Sequence, residues 1–196
     1  MIEVEKKFQP TEEQNKKLLE GATLISHKEV VDVYYDTPSF EFAKKGMYLR
    51  NRDNSWELKI YLPSSGDDEA AEEIVDENQI LKSLGYETYQ NFQDFSSQEL
   101  QILGKILTDR KKYHKEGFIL DFDETDFGMK KLDIELQVSE RDQIPEANKK
   151  ILDFINTFGM QEVKLPLKPV AYLEKMRPEI YKQIFGGENK KELKMK

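Results

Sequence analysis

Lys131-Leu132-Asp133-Ile134-Glu135-Leu136-Gln137-Val138 alternates without a break. Leu132, Ile134, Leu136 and Val138 fall on one side of an extended chain; Asp133, Glu135 and Gln137 fall on the other. Working outward, the N-terminus repeats the pattern. Ile2, Val4, Lys6 and Phe8 share one face of a strand, and Glu3, Glu5 and Lys7 share the opposite face. Tyr48, Arg50 and Arg52 lie on one side of a strand over Met47–Asp53. In its hairpin partner, Trp56–Tyr61, Glu57, Lys59 and Tyr61 oppose Trp56, Leu58 and Ile60. Asp121 and Asp123 alternate within Phe118–Glu124. An ordinary antiparallel sheet packs one face on a core and turns the polar face to water. Here several strands set charges of both signs against faces that are aliphatic or aromatic. Helical stretches elsewhere need an apolar sheet face to cover. A sheet closed into a barrel with helices outside satisfies both demands and turns the charged set inward. The fold expected is therefore α+β.

The remaining elements fit one domain over residues 1–185, with a charged tail over 186–196. Thr11 and Gln14 have capping-box spacing and open a helix after Pro10. A long strand runs from Thr23 to Tyr35 and stops at Asp36-Thr37-Pro38. Residues 63–69 read as a polar loop, followed by a strand over Glu72–Val75. Residues 77–103 read as helical with breaks, on Ile80, Leu81 and Leu84 and then Leu100, Ile102 and Leu103. Ser96-Ser97 reads as the start of the second piece. Strands follow over Lys105–His114 and Phe118–Glu124, hinged at Glu116-Gly117. Glu146–Phe158 is an amphipathic helix, and Pro169–Phe185 holds the last helices, interrupted at Pro178.

Composition narrows the function. The 196 residues carry a net charge of −8, which argues against a nucleic-acid partner. Zero Cys removes disulfides and thiolate chemistry. No apolar run approaches the ~20 residues of a membrane helix, and MIEVEKKF has no signal-like apolar core. The expectation is a cytoplasmic monomer without a membrane partner. His27 and His114 lack metal-ligand spacing, and there is no Gly-rich phosphate loop.

Charges withdrawn from water must be paired or must coordinate something. Gathered carboxylates suit a hard cation held through oxygen, Mg²⁺ or Mn²⁺. Arginines suit phosphate, to which a guanidinium offers two parallel hydrogen bonds. A ligand with several phosphates plus a divalent metal answers both halves.

Glu3-Val4-Glu5-Lys6-Lys7 also fits the ExExK signature of the CYTH superfamily, the triphosphate tunnel metalloenzymes. The chain resembles that superfamily's animal-type thiamine triphosphatase branch over roughly residues 1–185. The similar stretches are Tyr34-Tyr35-Asp36-Thr37-Pro38, Leu49-Arg50-Asn51-Arg52, Trp56-Glu57-Leu58-Lys59, Asp121–Gly128, Asp133-Ile134-Glu135 and Lys168–Pro178. The resemblance implies a closed eight-stranded antiparallel tunnel with helices outside, and Mg²⁺-dependent hydrolysis of a triphosphate. It implies Glu3, Glu5, Asp121, Asp133 and Glu135 as metal-side carboxylates. It implies Lys7, Arg50, Arg52, Lys59, Arg110 and Lys168 as the phosphate grip, with Glu73 as a further strand carboxylate. Arg52 would stabilise the transition state and Lys59 would transfer a proton.

Two departures bear on selectivity. Asp133 stands where the pattern usually has Glu, one methylene shorter, and so would reach a metal through water. Tyr48 stands where relatives carry Trp; of Tyr34, Tyr35, Tyr48 and Trp56 it is the preferred stacking partner for an organic group, sharing parity with Arg50 and Arg52. The leading substrate is thiamine triphosphate. The rivals are an inorganic triphosphatase acting on tripolyphosphate and a non-catalytic polyphosphate- or nucleotide-binding module.

Overall fold

The computed structural model describes residues 2–61 and 70–186; the loop over 63–69 and the tail beyond 186 lie outside the described residues. Eight strands form one closed barrel. They are β1 (Ile2–Phe8), β2 (Thr23–Asp36), β3 (Met47–Arg52), β4 (Ser55–Tyr61), β5 (Ala70–Ile74), β6 (Gln101–Lys115), β7 (Phe118–Thr125) and β8 (Lys130–Val138). Their order around the barrel is β1-β5-β4-β3-β2-β6-β7-β8. The helices are α1 (Glu12–Leu19), α2 (Glu41–Lys44), α3 (Glu77–Leu84), α4 (Phe92–Glu99), α5 (Ile144–Asn156), α6 (Lys168–Met176) and α7 (Pro178–Phe185). Among the described residues no helix is long and apolar enough to cross a membrane. The expected closed antiparallel α+β barrel is the fold observed.

The chain divides into two compact units. The first comprises Met1–Val30, Leu62–Glu72 and Thr108–Leu165. In it β1 pairs antiparallel with β8, and β8 with β7, in a register that lines up the apolar sides. Val4, Phe8, Leu120, Leu132 and Ile134 pack with Ala147, Ile151, Phe154 and Ile155 of α5 into one buried cluster. Alternation in the strands and a 3.6-residue stripe in the helix thus meet across one interface. Thr11 caps α1 with both capping-box hydrogen bonds, as its spacing predicts.

The second unit comprises Val31–Tyr61, Glu73–Leu107 and Pro166–Lys196. The β3–β4 hairpin turns on Asp53 and Asn54, both at positive φ (49° and 67°), the turn whose twist suits a two-residue hairpin loop. The apolar faces of these strands, Leu49 and Leu58, join Phe42 and Ile80, Leu81, Leu84, Phe92 and Phe95 of α3 and α4. At Gly104 an added Cβ would lie 2.4 Å from the Tyr172 ring, so the strand needs glycine for the α6 tyrosine to pack on it.

Two expectations are corrected here. Leu100, Ile102 and Leu103 do not continue a helix: α4 ends at Glu99, and β6 begins at Gln101. Ser96 and Ser97 do not start a helix but lie inside α4, each hydroxyl donating to a carbonyl three residues back, and Asn91 is the cap that accepts from Asp94 N–H.

Candidate active site

On β1 and β8 the polar faces are brought into line by register. Glu5 is directly opposite Glu135, and Lys7 is opposite Asp133. Glu3 lies two residues from Glu5 on the same face. The carboxylates of Glu3, Glu5 and Glu135 bring oxygen atoms within 4.8 Å of one another. Burial, and then the neighbouring Glu3 and Asp121, push the Glu135 carboxyl well above its ordinary range. Such a group favours neutralisation, by a proton or by a cation. An all-oxygen, hard-donor set of this kind fits Mg²⁺ or Mn²⁺.

Beyond this triad the first unit carries a row of facing charges of both signs across its paired strands. Lys7 Nζ lies 3.5 Å from Glu5, and both side chains are buried. Asp133 is opposite Asp121, and Asp121 is opposite Lys112. Asp121 is fully buried, with Arg110 Nη1 at 2.5 Å and Lys112 Nζ at 3.2 Å, although neither contact is aligned as a hydrogen bond. Arg110 forks onto Asp123 through Nε and Nη2 at 2.6 and 2.7 Å. Lys131 contacts Asp133, whose Oδ1 accepts no hydrogen bond. Asp121 and Asp133, expected among the metal-side acids, thus stand in ion pairs beside the three-glutamate group, not within it.

The second unit collects the other expected cations. Arg52 is opposite Asp32 in register and forks onto it, Nε to Oδ1 at 2.6 Å and Nη2 to Oδ2 at 3.0 Å. Arg50 is opposite both Tyr34 and Glu57. It donates from Nε to Glu57 at 2.7 Å and from Nη2 to Glu73 at 3.3 Å. Lys59 is opposite Tyr48, and its Nζ lies 5.6 Å from the Tyr61 ring centroid. Lys168 is buried at the first position of α6, where its charge acts on Asp32. Tyr48 is buried and meets Tyr61 edge-on at 6.0 Å.

Trp56 and Tyr35 take the opposite parity. They contact each other at 4.9 Å, and Trp56 meets Phe92 at 4.8 Å within the helix-side core. They are therefore packing residues, and Tyr34 and Tyr48 remain on the arginine face. Sequence reading passed over Asp32, Lys112 and Lys131. The available signal was parity: Asp32 alternates with Tyr34 in a Val-rich strand, as Lys131 does with Asp133.

Residues 1–166 match the CYTH domain. The chain belongs to the CYTH family. Among curated proteins it is similar to the human thiamine-triphosphatase, at 27% identity over 98% of this chain and 93% of the relative. Among solved structures it is similar to the PH1819 protein from Pyrococcus horikoshii, with a TM-score of 0.58, 24% identity, and coverage of 82% of this chain and 92% of that one. A Hippeastrum protein, named as a candidate adenylyl cyclase with a dominant triphosphatase activity, gives a TM-score of 0.58 at 21% identity, covering 88% of this chain and 94% of its own. At these identities the two solved structures bear on the fold alone.

Proposed function

We propose that residues 1–185 form a metal-dependent triphosphatase that removes the terminal phosphoryl group of thiamine triphosphate. The observation that carries this reading is the Glu3, Glu5 and Glu135 triad, with carboxylate oxygens within 4.8 Å of one another, in a CYTH-family chain. The curated human relative, a thiamine-triphosphatase, supports the substrate.

Phosphoryl transfer asks a protein mainly for positioning and charge stabilisation. Glu3, Glu5 and Glu135 would hold Mg²⁺, with Mn²⁺ as a substitute, and Asp121 and Asp133 would reach it through water. Held there, the ion would supply charge neutralisation on phosphate oxygens and would acidify water. Arg50, Arg52 and Arg110 stabilise the equatorial oxygens as charge develops. Lys7 and Lys168 bind the chain of phosphates, and Lys59 transfers a proton. Tyr48 contacts the organic group.

One observation favours tripolyphosphate as the substrate. With Trp56 and Tyr35 committed to the helix-side core, few aromatic faces remain on the arginine side to select an organic ring. A phosphate-release panel with Mg²⁺ separates the readings: thiamine triphosphate, tripolyphosphate, ATP and GTP, with pyrophosphate as control. Preference for the thiamine ester is expected. Faster tripolyphosphate cleavage transfers the assignment to the inorganic substrate, and binding without turnover refutes an enzyme.

A further inference from the structure

Asp32 has no place among the metal-side acids, yet it has no exposed surface at all. A buried carboxylate is costly unless it is paired and hydrogen-bonded. Three cations attend this one. Arg52 engages both of its oxygens, Arg50 Nε lies 3.8 Å from Oδ1, and Lys168 adds its charge. Burial pushes the carboxyl up, but the Arg52 hydrogen bonds and the three cations outweigh that and hold it at about 2. Asp32 is thus a fixed negative charge at neutral pH, unsuited to carrying protons in turnover.

The register explains why the pair is rigid. Asp32 and Arg52 are directly opposed on β2 and β3, so the fork closes between two paired strands, with no loop in between. It uses the Nε and Nη2 edge of the guanidinium. Nη1 is left 3.9 Å from Glu57, beyond hydrogen-bonding distance. An unrestrained arginine has many rotamers, and ordering it on binding costs affinity; a guanidinium already locked avoids that cost.

We propose that Asp32 is a positioning residue for phosphate recognition: its two oxygens lock Arg52 so that the Nη1 edge is presented to the triphosphate. The inference rests on the triphosphate reading above and extends it to a residue that itself touches no substrate. Its closest analogy is the outer partner that orients a metal ligand, whose loss costs roughly 10–100-fold in affinity or activity.

The test is a double-mutant cycle on tripolyphosphate affinity, measured calorimetrically without metal, together with kcat/KM in Mg²⁺. Asp32→Asn keeps size but replaces one acceptor by a donor. It should weaken binding and kcat/KM by roughly 10–100-fold in the wild-type background. In an Arg52→Ala background it should change binding by about twofold or less, because Asp32 acts through Arg52. Equal losses in both backgrounds, or no loss in either, overturn the inference. If Asp32→Asn does not fold, Asp32→Ala assayed with added formate replaces it. Recovery of binding with formate, but not with chloride at equal ionic strength, is expected, and no recovery overturns the inference. If the wild type binds tripolyphosphate without hydrolysing any triphosphate, the catalytic reading fails while this one still stands on the binding cycle.

Discussion

Arg52 is where charge and geometry meet most tightly. Its guanidinium is locked by Asp32 through two hydrogen bonds. Under the proposed function Arg52 would donate to developing phosphate charge, and its truncation to Ala should lower kcat/KM by roughly 10²–10³-fold, the usual loss for a deleted transition-state donor. Steady-state phosphate release measures this, and near-normal turnover would refute the assignment. The same pair sets a pH signature in stability. Asp32 is held at about 2 in the folded chain, below its ordinary 3.8. A depressed carboxyl contributes stability fully above its unfolded value and loses it as pH falls through the folded one. The stability gap between wild type and Asp32→Asn should therefore be about 2 kcal/mol near neutrality and close between about pH 4 and pH 2. Urea melts at stepped pH would show it; a gap unchanged at pH 2 would exclude the ion pair as its source. At this scale much was legible, because strand parity alone placed Glu3, Glu5, Arg50, Arg52 and Glu135 on polar faces. Partners were not legible. Which acid meets which arginine depends on register between strands, and nothing in the sequence states that register.

At the scale of elements, β1 carries two messages on its two faces. Its polar face supplies Glu3 and Glu5 to the triad. Its other face, apolar at Val4 and Phe8, also buries Lys6, which pairs with Glu162 at 3.0 Å beside the hydrogen bond from Val163 N–H to the Lys7 carbonyl. Removing one partner of such a pair strands the other charge, whereas replacing both partners by apolar side chains of similar shape is often neutral. Lys6→Met, which strands Glu162, should cost several kcal/mol, on the order of 3, and Lys6→Met combined with Glu162→Met far less. Chemical denaturation compares them, and equal losses would mean that the pair is incidental. In the triad the glutamates repel one another, and under the proposed function a bound cation would relieve that repulsion. Glu135→Gln should then raise the Tm of the metal-free protein and shrink the upward shift expected from Mg²⁺ in the wild type. An undiminished Mg²⁺ shift would remove Glu135 from the ligand set. Element boundaries show where sequence patterns blur. Leu100, Ile102 and Leu103 satisfy helical and extended spacing equally over so short a run, and strand pairing decided for β6. The four-residue α2 has too few positions for any period to register; buried Asp36 holds it by accepting from the Phe42 and Ala43 amides.

For the whole molecule, closure of the strand order is what makes alternation meaningful. A closed sheet has no edge, and every strand has an inward and an outward side. The helices that pack on the apolar sides of β1, β7 and β8 in one unit and of β3 and β4 in the other fix which side is which. That much followed from the residues, while the number of strands came only with the resemblance to CYTH proteins. Substrate identity lies at a finer level than fold, because one architecture hosts several chemistries. The central claim is that three glutamates gathering a divalent cation make this chain a triphosphatase. Phosphate release from tripolyphosphate and thiamine triphosphate, titrated with Mg²⁺ for the wild type and Glu5→Gln in parallel, tests it most directly. The account predicts release that rises with Mg²⁺, stops in chelator and falls steeply in Glu5→Gln. Release that persists in chelator, or that is unchanged in Glu5→Gln, would contradict it.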